Sequence, residues 1–244
     1  MNVSKGILKK VDAARIAIVD WLDTHELCHG ISDEDAACSI TAINLALTGE
    51  LTDEDPSDCM SPVIRHWVIR VQDKMPEKMM SRDDEHGRRW RKALPFVAGS
   101  RDPDREQERQ DLILNWMWER LGDDWETWVP TEVHAAWHTM LTERTATASN
   151  DASSFAASND TSYAAHVAVT YATHATSAAN AAVVYAAHAA VHAAHAAVVY
   201  ATYATSAATA AAYAATTSAG GAANVYGFWQ RADPARLLAA LVSS

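Results

Sequence analysis

The sequence predicts an all-α protein: a helical N-terminal domain, then one long alanine-rich helix, then a short C-terminal helix. Three observations carry that reading. Through the first 144 positions, apolar residues recur at helical spacing between recognisable start and stop signals. No segment alternates apolar and polar residues cleanly between hairpin turns, so little or no sheet is expected. Residues 131–219 contain no glycine and no proline in 89 positions, and they are rich in alanine, the residue of highest helix propensity.

In order along the chain, KGILKKVDAARIAIVDWLDTHEL (5–27) places its apolar residues at helical spacing. SDEDAACSITAINLALTG follows, with Ser32 as the expected cap, Asp33, Glu34 and Asp35 in the first turn, and Gly49 as the stop. SPVIRHWVIRVQDKMP opens with a proline that a first helical turn tolerates and ends before Pro76. A further helix is expected over about 105–121. Eight of the nine tryptophans lie between Trp21 and Trp137, and they are expected to pack between these helices. This first part, 1–144, is read as an acidic, Trp-rich helical domain.

Residues 145–221 form the alanine-rich segment. At about 100° per residue, its tyrosines and histidines from Tyr163 to Tyr213 fall within an arc of ~160°. The opposite side is nearly pure alanine and includes Ala172, Ala179, Ala186, Ala190, Ala193, Ala197, Ala204 and Ala208. A break would reset that phase, so one helix is expected over about 161–216, on the order of 80 Å long. YATHATSAANAA (171–182) recurs as YATYATSAATAA (200–211), close to eight turns later. An alanine face lets a second helix approach closely, which marks it as the packing or oligomer face of an expected homo-oligomer. Gly220 and Gly221 end the helix, and 222–244 reads as a turn with a short helix from about Pro234.

Charge narrows the partners. The net charge is −11. Residues 1–144 hold 18 Lys/Arg against 28 Asp/Glu, and 145–244 hold 2 against 3. An acidic surface argues against nonspecific nucleic acid binding, which rests on neutralising phosphates. Cys28, Cys38 and Cys59 cannot all pair with one another, and neither a signal peptide nor a spanning apolar run is seen, so a reduced, cytoplasmic protein of the host cell with no membrane partner is expected. The threonines, serines, asparagines and histidines of the alanine tract are too frequent for a membrane span.

Three patterns bear on chemistry. HELCH has the form HExxH and gathers His25, Cys28 and His29 as metal ligands, although Gly30 ends the helix that would carry them. His134/His138 and His188/His192 share the same spacing of four, and His188, His192 and His195 form a stripe whose protonation near pH 6 would make an assembly pH-sensitive. HGRRWRK is a basic cluster in an acidic domain. Arg88, Arg89, Arg91 and Lys92 would hold a phosphate there, and Trp90 would stack a base. The chain carries no Walker loop, dinucleotide-binding glycine pattern, GxSxG elbow or CxxC pair, and no cofactor is expected.

The order of parts carries a resemblance. A head containing ISDEDAACSITAINLALTGELTDEDPSDCMSPVIRHWVIRVQDKMP and ending in MLTERTATA, then an alanine-rich helix, then FWQRADPARLLAAL, resembles uncharacterised proteins of tailed bacteriophages and prophages. The resemblance implies a phage origin and no particular activity. The expectation is a non-catalytic accessory protein that acts by binding, in counter-defence, by sequestering a host immune nucleotide signal at Arg88–Lys92 or a host protein on its acidic head. A structural or virion-associated oligomer is the competing class, and a metal-dependent hydrolase the third.

Overall fold

In a computed structural model of the chain, residues 5–30, 36–54, 59–122, 125–127, 131–145, 147–148, 151–152 and 222–244 are described. Helices dominate them, as the sequence predicts, accompanied by two strands of two residues each. The expected helix over 161–216, with its alanine face from Ala172 to Ala208 and its His188/His192/His195 stripe, lies outside the described residues. Among the described residues, no helix is long and apolar enough to cross a membrane. The chain divides into two compact units, Met1–Glu106 with Asp233–Ser244, and Gln107–Ala232.

The first unit opens with α1 (Lys5–Thr24), which ends three residues before the sequence suggests. The Thr24 hydroxyl donates to Asp20 O at 3.0 Å, and the His25 ring lies 2.9 Å from Trp21 O. The carbonyls that a longer helix would have used are taken by arginines: Arg91 donates to Leu22 O and His25 O, and Arg82 to Asp23 O. The backbone instead forms β1 (Glu26–Leu27), paired in parallel with β2 (Ala36–Ala37). That pairing also corrects the expected start of the next helix. With Ala36 and Ala37 extended, α2 (Ser39–Thr48) begins at a Cys38 cap, whose sulfur accepts from Thr41 N at 3.4 Å. Gly49 closes α2 in the left-handed region at φ 75°, where the missing Cβ removes the penalty.

Helix α3 (Pro62–Gln72) has the predicted proline in its first turn, capped by Ser61. At its far end the buried Gln72 accepts from Ser39 N at 2.8 Å and donates to Cys28 O at 2.6 Å, joining α3 to the start of α2 and the end of β1. Helix α4 (Glu85–Ala93) is capped by Asp84 and continues into a 3-10 turn, Leu94–Phe96. Ile18, Leu22, Ile40, Ile43, Ile64, Trp67, Val71, Trp90 and Leu94 form the core between these helices. The C-terminal helix, Pro234–Ser243, packs on α3 and α4 and buries Leu238 and Leu241.

In the second unit, α5 (which starts at Glu106 and runs to Gly122) buries Ile113, Trp116, Met117 and Leu121 at helical spacing. It is followed by α6 (His134–Glu143) and, among the described residues, by α7 (Ala222–Ala232); the C-terminal helix is α8. The segment read as a turn before Pro234 is therefore helical. Gly227 alone costs that helix about 1 kcal/mol, which burial of Trp229 offsets. The Trp116 indole donates to Ala232 O at 2.7 Å and Arg120 to Arg231 O at 3.0 Å, so α5 side chains satisfy the last carbonyls of α7.

Candidate ligand-binding groove

The first unit carries a groove between α1 and α4, of about 660 Å³, within the usual range for small-molecule sites. Its α1 wall follows from helical spacing. Ile16, Val19, Asp20 and Asp23 stand at i, i+3, i+4 and i+7 and share one stripe. Ile18 is fully buried in the core, and Leu22, also buried, borders both the core and the groove. The opposite wall is built from Arg82, Arg88, Lys92, Pro95 and Phe96.

Arg91 sets how the walls run. Its guanidinium is buried and donates to Leu22 O at 2.7 Å, His25 O at 3.0 Å, Met80 O at 3.2 Å and Glu26 Oε2 at 3.1 Å. Burial lowers its pKa, and the Glu26 carboxylate opposes that shift. At the other end, the Arg15 guanidinium lies 4.9 Å from the centre of the Phe96 ring, a cation–π contact. The end of α1 thus meets Arg91 while its middle meets Phe96, so α1 and α4 run antiparallel. Arg82 adds two contacts to Glu26 Oε1, at 2.6 and 2.7 Å, and one to Asp23 O at 2.7 Å.

Three features distinguish this groove. Ile16, Val19 and Phe96 are 63%, 43% and 46% exposed and together form an apolar floor open to solvent. The lining holds five basic and two acidic side chains on a chain whose net charge is −11. Arg88 donates only to the carbonyls of Arg82 and Asp83, and neither it nor Lys92 has a carboxylate partner among the described residues.

The basic cluster expected from the sequence is therefore split. Arg88 and Lys92, one helical turn apart, face the groove. Arg89 is not among the groove's lining residues and instead holds Asp233 with two contacts of 2.8 Å, which raises its pKa. Trp90 is fully buried and donates to Ser39 Oγ at 2.9 Å, so it has no face to offer a base, and Arg91 is an internal anchor. Arg15 and the apolar members Ile16, Val19 and Phe96 were missed by sequence reasoning. The sequence did hold a signal: Ile16, Ile18, Val19, Trp21 and Leu22 spread over more of a helix than one buried stripe needs.

HELCH lies wholly beyond the end of α1, with Glu26 and Leu27 in β1. His25 stacks on Trp21 with ring centres 4.5 Å apart, His29 Nε2 lies 2.9 Å from Met75 O, and Glu26 is held by Arg82 and Arg91. Cys28 Sγ points to Gly30 O at 3.9 Å. Among the described residues, no group of three or more His, Cys, Asp and Glu side chains is arranged to hold a metal ion. His134 and His138 do share α6, with His134 edge-on to Trp125. No protein-family model matches the chain, and no curated protein or solved structure matches it either.

Proposed function

We propose that this protein acts by binding, and that the α1–α4 groove holds an anionic small molecule of nucleotide size. The observation that carries the reading is local positive charge beside exposed apolar surface on an otherwise acidic chain. Arg88 and Lys92 supply the anion-facing donors, and Phe96 under Arg15 supplies the planar surface first sought in Trp90. The resemblance of the chain's order of parts to phage and prophage proteins supports a setting in the infected host cell. There, sequestering a host nucleotide signal would act as counter-defence.

Titration calorimetry against a panel of nucleoside mono-, di- and cyclic phosphates tests this. Charge-assisted contacts contribute about 1.5–3 kcal/mol each. The Arg88→Ala/Lys92→Ala double variant should therefore lose about a hundredfold or more in affinity, while Arg89→Ala, which removes a guanidinium already engaged by Asp233, should lose far less. If the double variant binds as tightly as the parent, or if no nucleotide binds at all, the reading is wrong.

A further inference from the structure

Building on that reading of the groove, we infer that its ligand carries an amino group on an aromatic ring as well as a phosphate, and that Asp20 and Asp23 select it. The walls differ in sign. Asp20 and Asp23 line the α1 side and Arg82, Arg88 and Lys92 the α4 side, yet no ion pair within 4.0 Å joins either carboxylate to these cations. Asp23 gives Arg82 only its backbone carbonyl, and Asp20 receives Thr24 only on its own. Both side-chain carboxylates are exposed acceptors left facing the groove.

A purely anionic ligand such as pyrophosphate would meet repulsion from that wall, and a purely apolar one would leave both walls unmatched. An amino-bearing nucleotide complements all three surfaces. Its phosphate meets Arg88 and Lys92, and its ring lies over Ile16 and Val19 beside the Arg15 guanidinium stacked on Phe96. Its exocyclic amine donates to Asp20 or Asp23, as carboxylates accept from the cytosine amine. Replacing that amine by a carbonyl sets oxygen against oxygen, so the carboxylates discriminate by repulsion as well as attraction.

AMP and IMP, and CMP and UMP, differ in this amine and in the adjacent ring nitrogen, which gains a hydrogen where the carbonyl replaces the amine. Calorimetry of the whole chain with these four and with pyrophosphate should give AMP over IMP and CMP over UMP by about tenfold, with pyrophosphate weaker than AMP. Asp20→Asn/Asp23→Asn, which presents a donor as well as an acceptor, should bring both ratios close to one. Both positions are exposed, so circular dichroism and thermal melting of this variant should match the parent. If all four nucleotides bind the parent equally, or pyrophosphate binds as tightly as AMP, the inference is overturned. The groove reading then survives, provided that the Arg88→Ala/Lys92→Ala variant abolishes the binding. Failure of every probe to bind defeats both.

Discussion

Five consecutive residues of α4, Arg88 to Lys92, go to three destinations because each step along a helix turns the side chain by about 100°. Arg88 and Lys92 reach the groove, Arg89 reaches Asp233, and Trp90 and Arg91 are buried. Burial acts on titration too. It lowers the His86 pKa, where Nε2 accepts from Ala235 N and Nδ1 faces Met79 O, and it lowers His66 to about 4, helped by Arg65 and Arg70. In both cases the unfolded chain takes up the proton first, near the ordinary imidazole value of about 6.5. Their contribution to stability is therefore complete above that pH and is lost as pH falls through the window below it. Urea unfolding followed from pH 7.5 to 5 should show a decline of up to about 1.4 kcal/mol per pH unit for each histidine, less for the part-exposed His66 because solvent screens it. His66→Gln and His86→Gln should each flatten the slope. A parent profile with no slope between pH 6.5 and 5 would show that neither imidazole is held neutral by the fold.

At the scale of elements, Gly87 shows packing overriding propensity. Alanine in mid-helix is favoured over glycine by about 1 kcal/mol, so a helix viewed alone predicts that Gly87→Ala stabilises. In the fold, a Cβ at this position collides with the Ser81 carbonyl oxygen. That atom belongs to the backbone and cannot swing aside like a side-chain tip. Overpacking costs about 1–3 kcal/mol, so against the ~1 kcal/mol propensity gain Gly87→Ala should be net destabilising by up to about 2 kcal/mol, read as a lower melting temperature. An unchanged or higher value would mean that α4 stands farther from the 3-10 turn Glu77–Met80 than the structure places it.

At the scale of the molecule, two electrostatic effects compete. The net charge of −11 repels any anion at a distance, whereas on the proposed reading Arg88 and Lys92 attract it at contact. Salt at 0.1 M already screens beyond about 10 Å, so the local attraction decides affinity, and it is the part that more salt erodes. Raising sodium chloride from about 0.05 to 0.5 M should therefore weaken AMP binding by about tenfold or less. An affinity independent of salt would assign the binding to the apolar floor of Ile16, Val19 and Phe96 and remove the cations from the argument.

Much of this protein was legible in its residues, because the signals concerned are local. Ser61 and Pro62 open α3, Gly49 closes α2 and Pro234 opens α8, each through backbone geometry or a missing donor that acts within one turn. Spacing alone also puts Arg88 and Lys92 on one face and separates them from Trp90. What the residues left undecided depended on neighbours distant in the chain. Ala36 and Ala37 are good helix formers that became a strand because Glu26 and Leu27 offered unpaired backbone. HELCH had metal-binding spacing only while α1 ran through it, and Glu26 was claimed by arginines 56 and 65 residues away. The groove itself exists because Arg91 holds α4 antiparallel to α1, leaving Ile16 and Val19 uncovered beside Phe96. Caps and periodicity fix which way each side chain leaves its own helix, and only packing between helices decides what it meets.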